Sequence, residues 1–65
     1  MNWDEIVANW KRFEGNVQQQ WGKLTHDDLQ QVKGDLKALT GKIQERYAIT
    51  KEEAERQINE WLRKL

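Results

Sequence analysis

The sequence predicts an all-α fold, a small four-helix bundle made of two packed αα-hairpins. Apolar residues recur at steps of three and four along most of the chain, capping residues precede three of the apolar stretches, and proline is absent. The predicted helices span approximately residues 3–21, 26–33, 35–47 and 51–64. We expect a single domain over residues 1–65, because a chain this short supports at most one hydrophobic core.

The first predicted helix begins after Asn2, whose side chain can accept from free backbone N–H groups, with Glu5 at the third helical position. Gly22 is well placed to end it, because glycine adopts the left-handed conformation that often follows a helix. The apolar residues fall on one face of this helix: Trp3, Ile6, Val7, Trp10, Phe13, Val17 and Trp21.

The middle of the chain contains a second start signal and an interruption. Thr25 is a plausible N-cap, and Asp27 and Asp28 follow it in the first turn, where the helix dipole favours negative charge. Gly34 predicts a break between a short second helix and a third. A single continuous helix is the alternative, because the apolar period continues through Leu29, Val32, Leu36, Leu39, Ile43 and Tyr47.

The last helix has the clearest start signal in the chain. Thr50 and Glu53 have the spacing of a capping box, in which each side chain binds the other residue's backbone N–H. The predicted core face of this helix consists of Ala54, Ile58, Trp61 and Leu65.

The two halves of the chain also resemble each other. With a shift of 26 positions, the pattern of residues 10–21 falls on that of residues 36–47, and the threonine and acidic pair of each half then follow. Each half therefore predicts a helical hairpin. An internal duplication and a chance match of helical patterns both fit this similarity.

Composition argues against several classes of protein. Eleven Lys and Arg balance eleven Asp and Glu, and a net charge of zero is unusual for a nucleic-acid binder. Cysteine is absent, no signal-peptide pattern opens the chain, and no apolar run has the ~20 residues that span a bilayer. We therefore expect a cytoplasmic protein without a membrane or nucleic-acid partner, a monomer that contacts a protein of unknown identity.

The acidic residues and the histidine could act in catalysis or metal binding, but in this chain each has a structural explanation. Asp27-Asp28 and Glu52-Glu53 each follow a threonine cap, so we interpret them as residues that favour helix starts rather than as acid–base pairs. His26 has no second histidine or cysteine to complete a metal site, and it is expected at an exposed first helical position. The sequence therefore predicts no catalytic, metal-binding or cofactor-binding residues and no enzyme activity.

The four tryptophans could stack on nucleic-acid bases, but Trp10, Trp21 and Trp61 lie on predicted core faces. Trp3, near the start of its helix, is expected to be the most exposed of the four.

The basic residues of the third helix do not form a stripe. Lys37 falls on one flank of its core face, and Lys42 and Arg46 fall on the other. This placement is typical of side chains that lie beside a core, and it does not suit a phosphate-binding groove.

Two stretches resemble the CsbD-like family. They are residues 9–13 (NWKRF) leading to residues 21–25 (WGKLT), and residues 41–47 (GKIQERY). The similarity extends over nearly the whole chain and includes the acidic residues after both capping threonines. This resemblance implies a four-helix fold of two hairpins. It also implies that the chain is one of a group of small bacterial proteins associated with general stress responses.

The chain departs from the family pattern in two ways. Family members often have lysine at the positions of Glu14, Asn16 and Gln18, and often glycine at that of Ala48. The first difference weakens a nucleic-acid role drawn from the resemblance, and the second suggests a different turn after Tyr47. We therefore expect a non-enzymatic cytoplasmic stress-response protein that acts through protein contacts. The alternative is a nucleic-acid-associated module that uses Trp3 and dispersed Lys and Arg residues.

Overall fold

Five α-helices make up the chain in the computed structural model, which describes residues 2–65. No strand occurs within those residues, so the all-α prediction is confirmed. The arrangement as two packed two-helix hairpins stays a prediction. The helices are α1 Trp3–Ala8, α2 Trp10–Gln20, α3 His26–Val32, α4 Leu36–Tyr47 and α5 Lys51–Lys64.

The predicted first helix, residues 3–21, is divided at Asn9 into α1 and α2, which is the main correction to the predicted elements. Asn9 has φ −123° and ψ 36°, outside the helical range. Its side-chain amide donates to the Glu5 carbonyl at 3.0 Å. The bend allows α1 to dock on the turn between α3 and α4, where the Trp3 indole N–H donates to the Gly34 carbonyl at 2.9 Å. A tertiary contact therefore overrides the continuous apolar period.

The predicted N-caps at Asn2, Thr25 and Thr50 are confirmed, since each side chain accepts from the backbone N–H three residues later. The full capping box forms at Thr25, whose own N–H donates to the Asp28 carboxylate. At Thr50 the reciprocal bond is not formed, because the Glu53 carboxylate accepts instead from side chains further along α5.

The third and fourth helices meet at a sharp turn, which confirms the break predicted at Gly34 and excludes the continuous-helix alternative. Lys33 and Gly34 both have positive φ, 50° and 82°. Asp35, predicted to be the first residue of the next helix, is instead its N-cap and accepts from the N–H groups of Lys37 and Ala38.

Replacing Gly34 with Ala is expected to destabilise the protein by about 1–2 kcal/mol, the usual cost of a left-handed residue with a side chain. The added carbon would also lie 3.4 Å from the Cα of Val7, at the close limit of van der Waals contact, so the positive φ is the main cost. Thermal melting followed by circular dichroism measures the change. Gly41→Ala is the matched control, because Gly41 lies inside α4 with open space around it and alanine is the better helix former. A higher melting temperature for Gly34→Ala would contradict this turn.

The residue after α4, Ala48, has φ 54°, a conformation that glycine adopts at lower cost. We therefore expect Ala48→Gly to stabilise the protein by about 1 kcal/mol, which raises the melting temperature by roughly 4–8 °C in a domain of this size. Ala38→Gly, inside α4, should have the opposite effect. Equal losses of stability in both variants would contradict a left-handed residue at position 48.

One hydrophobic core joins all five helices and the loop after α2. The indole rings of Trp21 and Trp61 meet edge to face with centroids 5.4 Å apart, which joins the end of α2 to α5. The buried apolar residues are Ile6, Phe13, Val17, Trp21, Leu24, Leu29, Val32, Leu39, Ile43, Ala54, Ile58 and Trp61.

Candidate protein-contact surface

The acidic pair Asp27-Asp28 has divided roles. Asp27 is exposed, whereas the Asp28 carboxylate is buried and accepts two hydrogen bonds from the Arg46 guanidinium, at 3.0 and 2.9 Å. Lys42 Nζ lies 3.6 Å from the same carboxylate. The hydrogen bonds from Arg46, and then the Thr25 N–H, hold the pKa of Asp28 well below its usual range. Asp28 is thus charged at neutral pH and joins α3 to α4.

In the second acidic pair, Glu52-Glu53, one carboxylate again accepts hydrogen bonds from an arginine. The Glu53 carboxylate accepts from Arg56 and from the Gln57 amide, and these hydrogen bonds lower its pKa to about 2. Gln57 in turn accepts from the Trp21 indole N–H at 2.9 Å. Arg56 also donates to Glu60 at 2.8 Å. The Glu53 carboxylate therefore links side chains along α5 and, through Gln57, the ring of Trp21.

His26 is exposed at the first position of α3, as predicted. One ring nitrogen lies 3.0 Å from the Gln30 amide nitrogen, and the other lies 3.8 Å from the Glu14 carboxylate on α2. Across residues 2–65, no group of three or more histidine, cysteine or acidic side chains has the arrangement of a metal site.

The tryptophans have mainly structural contacts. Trp21 and Trp61 are buried, as predicted. Trp10 is half-buried and donates its indole N–H to the Leu29 carbonyl at 3.1 Å. Trp3 was expected to be the most exposed, but it is also half-buried, with its N–H bound to Gly34 and its ring packed on Trp10. Trp3 is therefore part of the fold rather than a free stacking platform.

A shallow depression between α2 and α3 places Trp10 beside Lys11 and Lys33. This is the arrangement closest to a nucleic-acid surface, but it differs from the one predicted around Trp3. The Glu14 carboxylate also lines it and would repel phosphate. On α4, Lys42 and Arg46 face the Asp28 carboxylate, so neither side chain is available as a free phosphate-binding group.

The surface best suited to binding is a groove between α4 and α5, which we call the α4–α5 groove. Two adjoining depressions form it, and both contain Leu36, Thr40 and Glu55. Leu36 was predicted to lie on the core face, but its side chain is 39% exposed. Thr40 and Ile58 are buried beneath it, and the Thr40 hydroxyl donates to the Leu36 carbonyl at 2.8 Å. The floor therefore combines the Leu36 side chain with Ile58 and Thr40, whose hydroxyl is already hydrogen-bonded.

Polar side chains form the rim of this groove. Lys37 on α4 and Lys51 at the start of α5 make no ion pair with any residue in the range 2–65, and neither does Glu55. These three charges are available to a partner, and together they give the rim a net charge of one positive unit. The remaining rim residues are Gln44 and Asn59.

Sequence reasoning missed this groove because it placed Leu36 on the buried face of its helix. Asp35 could have indicated the exposure of Leu36, because an N-cap at Asp35 makes Leu36 the first residue of α4. A side chain at that position lies at the end of the helix, where fewer neighbouring residues can cover it.

Within residues 2–65, no helix combines the length and apolar composition that crossing a bilayer requires.

Comparisons with known proteins agree with the resemblance in the sequence. A model of the CsbD-like family matches residues 4–56. The UPF0337 protein YjbJ of Escherichia coli K12 is 51% identical over 61 residues, which cover 94% of this chain and 88% of that protein. YjbJ of Salmonella typhimurium is 49% identical, with 94% and 87% covered. A UPF0337 protein of Rhodopseudomonas palustris is 43% identical, with 94% and 92% covered. The chain therefore belongs to the CsbD-like family.

Proposed function

We propose that this protein is a non-enzymatic stress-response protein of the bacterial cytoplasm that acts through protein contacts at the α4–α5 groove. One observation carries the contact surface: Leu36 is exposed above the buried Thr40 and Ile58, in a groove whose two lysines make no ion pair within residues 2–65. Exposed apolar side chains rimmed by polar ones are typical of protein-binding sites. The stress setting rests on what the family resemblance implies.

The groove suits an amphipathic helix of a partner protein. Two packed helices leave a linear furrow between them, and an apolar helix face can fill it with residues three and four positions apart. Lys37 and Lys51 favour acidic residues along the flank of such a helix that lies nearest them, and Glu55 favours a neutral or basic residue beside it. The partner we propose therefore carries an apolar stripe bordered by Asp or Glu.

Contacts of the acidic residues support a non-enzymatic role. A general acid or base needs a carboxyl group that can exchange protons near neutral pH. Asp28 and Glu53 are instead held in the charged form by arginine side chains. They stabilise the fold and are poorly suited to proton transfer.

Co-purification with tagged protein tests the proposed contact. We expect a partner to be captured by the wild type and lost with Leu36→Lys, which places a charge over the groove floor. Leu65→Lys is the matched control, because Leu65 is equally exposed at 39% but lies away from the groove, next to Trp61 and α2. Nuclease treatment should leave the capture unchanged. Equal capture by both variants would exclude the groove.

Titration with short DNA or RNA tests the alternative, a nucleic-acid-associated module. Near physiological salt, we expect Trp fluorescence to stay constant, because the net charge is zero and Glu14 lines the same depression as Lys11, Lys33 and the half-buried Trp10. A Kd tighter than about 1 μM that weakens steeply with salt would support the alternative, since nonspecific complexes typically have Kd values of ~10⁻⁴–10⁻⁶ M.

A further inference from the structure

The connection between α1 and α2 is a single residue. Asn9 leaves the helical conformation although neither glycine nor proline stands there. Sharp bends in helices usually occur at those residues or where a side chain competes for the backbone hydrogen bonds. Here the Asn9 amide donates to the Glu5 carbonyl at 3.0 Å. The Asn9 backbone N–H also donates to this carbonyl at 3.2 Å, so the side-chain bond adds to the helical one, and the bend depends mainly on the contacts that hold α1 in place.

The contacts that hold α1 in place lie far away in the sequence. The Trp3 indole N–H binds the carbonyl of Gly34, 31 residues away, and Val7 packs over the same glycine. Ile6 is completely buried in the core. None of these contacts requires α1 and the Gly34 turn to belong to the same chain.

The apolar period, by contrast, suits a straight helix. It runs from Trp3 to Trp21 without interruption across Asn9, so α1 and α2 could join into a helix about 27 Å long. A straight helix would carry Trp3 away from the Gly34 carbonyl and Ile6 away from the core of its own chain, unless a second molecule supplies both contacts.

We propose that Asn9 is a hinge through which two copies of this chain exchange α1. Each α1 docks on the Gly34 turn of the second copy and makes there the contacts it makes in the monomer. Such reciprocal exchange gives a symmetric dimer in which only the hinge changes conformation. The closed monomer prevails in dilute solution and the exchanged dimer forms at high concentration. This inference is independent of the α4–α5 groove.

The hinge residue provides the first test. Asn9→Ala removes the amide bond to Glu5 and supplies a better helix former. Because the dimer contains two hinges, its dissociation constant should fall about tenfold. Asn16→Ala is the matched control, because Asn16 is exposed inside α2 and away from the bend, and its dimerisation should equal that of the wild type. Sedimentation equilibrium up to millimolar protein measures both constants.

A second measurement distinguishes exchange from any other dimer. Isotope-labelled and unlabelled Asn9→Ala chains are mixed, unfolded and refolded together at high concentration. Filtered nuclear Overhauser spectra should then show contacts between the Trp3 indole of one chain and Gly34 of the other. A dimer that shows these contacts only within each chain would overturn the proposal. So would an Asn9→Ala chain that stays monomeric at millimolar concentration.

Discussion

Replacing Trp21 with Ala is expected to destabilise the protein by about 3–5 kcal/mol, the usual cost of removing a buried aromatic side chain. Trp21 is 1% exposed, packs edge to face on Trp61, and donates its N–H to Gln57. A domain this small rarely has more than ~3–5 kcal/mol of stability from its core. Trp21→Ala should therefore be largely unfolded at room temperature, with its helical circular-dichroism signal mostly lost.

Two further tryptophan variants make this test specific. Trp21→Phe keeps an aromatic ring against Trp61 but leaves the Gln57 carbonyl without its donor, so its stability should lie between wild type and Trp21→Ala. Trp3→Ala should have a smaller effect, because Trp3 is only half-buried. A wild-type urea midpoint for Trp21→Ala would show that α2 and α5 are not joined by this pair.

Asp28→Asn is expected to give the second large loss of stability. The side-chain shape is nearly unchanged, but the charge that pairs with Arg46 and faces Lys42 disappears. Asp28 is buried but Arg46 is 40% exposed, so the change removes a hydrogen-bonded ion pair and leaves a guanidinium that water only partly solvates. Asp27→Asn is the matched control, because Asp27 is exposed at the neighbouring position. At neutral pH, Asp28→Asn should lower the melting temperature clearly more than Asp27→Asn does.

The pH dependence of this difference has a definite sign. Since hydrogen bonds from Arg46 lower the pKa of Asp28 in the folded protein, its contribution is fully present above the unfolded pKa of about 3.9. It is lost as the pH falls below that value. Glu53, with its pKa lowered to about 2, loses its contribution between about pH 5 and pH 2. The wild type should therefore approach Asp28→Asn in stability as the solution becomes acidic. A difference that grows on acidification would contradict the ion pair.

Local signals in the sequence predicted much of the fold. Thr25 and Thr50 cap the helices they were expected to cap, and Gly34 separates two helices at a turn that requires positive φ. Each of these features depends on backbone groups within a few residues. The family resemblance was equally local, since it rested on short motifs, and it proved correct over residues 4–56.

The features that escaped prediction depend on contacts between distant residues. The bend at Asn9 exists because Trp3 and Val7 pack on Gly34, and no glycine or proline at the bend indicates it in the sequence. The Asp28–Arg46 pair requires α3 and α4 to pack side by side. Neither contact changes the spacing of apolar residues along the sequence.

The α4–α5 groove was missed for a related reason. Periodicity alone assigns Leu36 to the buried face of its helix, whereas its exposure depends on where the helix begins and on how α5 lies beside it. The groove is formed by the packing of two helices, so a one-dimensional pattern cannot show it.

The central claim, that this protein acts through protein contacts at the α4–α5 groove, is tested most directly by site-specific photocrosslinking in living cells. A photoreactive residue replaces Lys37 on the groove rim or, as control, the exposed Gln19 on α2. We expect a discrete protein adduct at position 37 only, which Leu36→Lys abolishes and Leu65→Lys retains. The crosslinked peptide should be an amphipathic helix flanked by acidic residues. Absence of an adduct at position 37, or equal adducts at positions 37 and 19, would contradict the proposed contact.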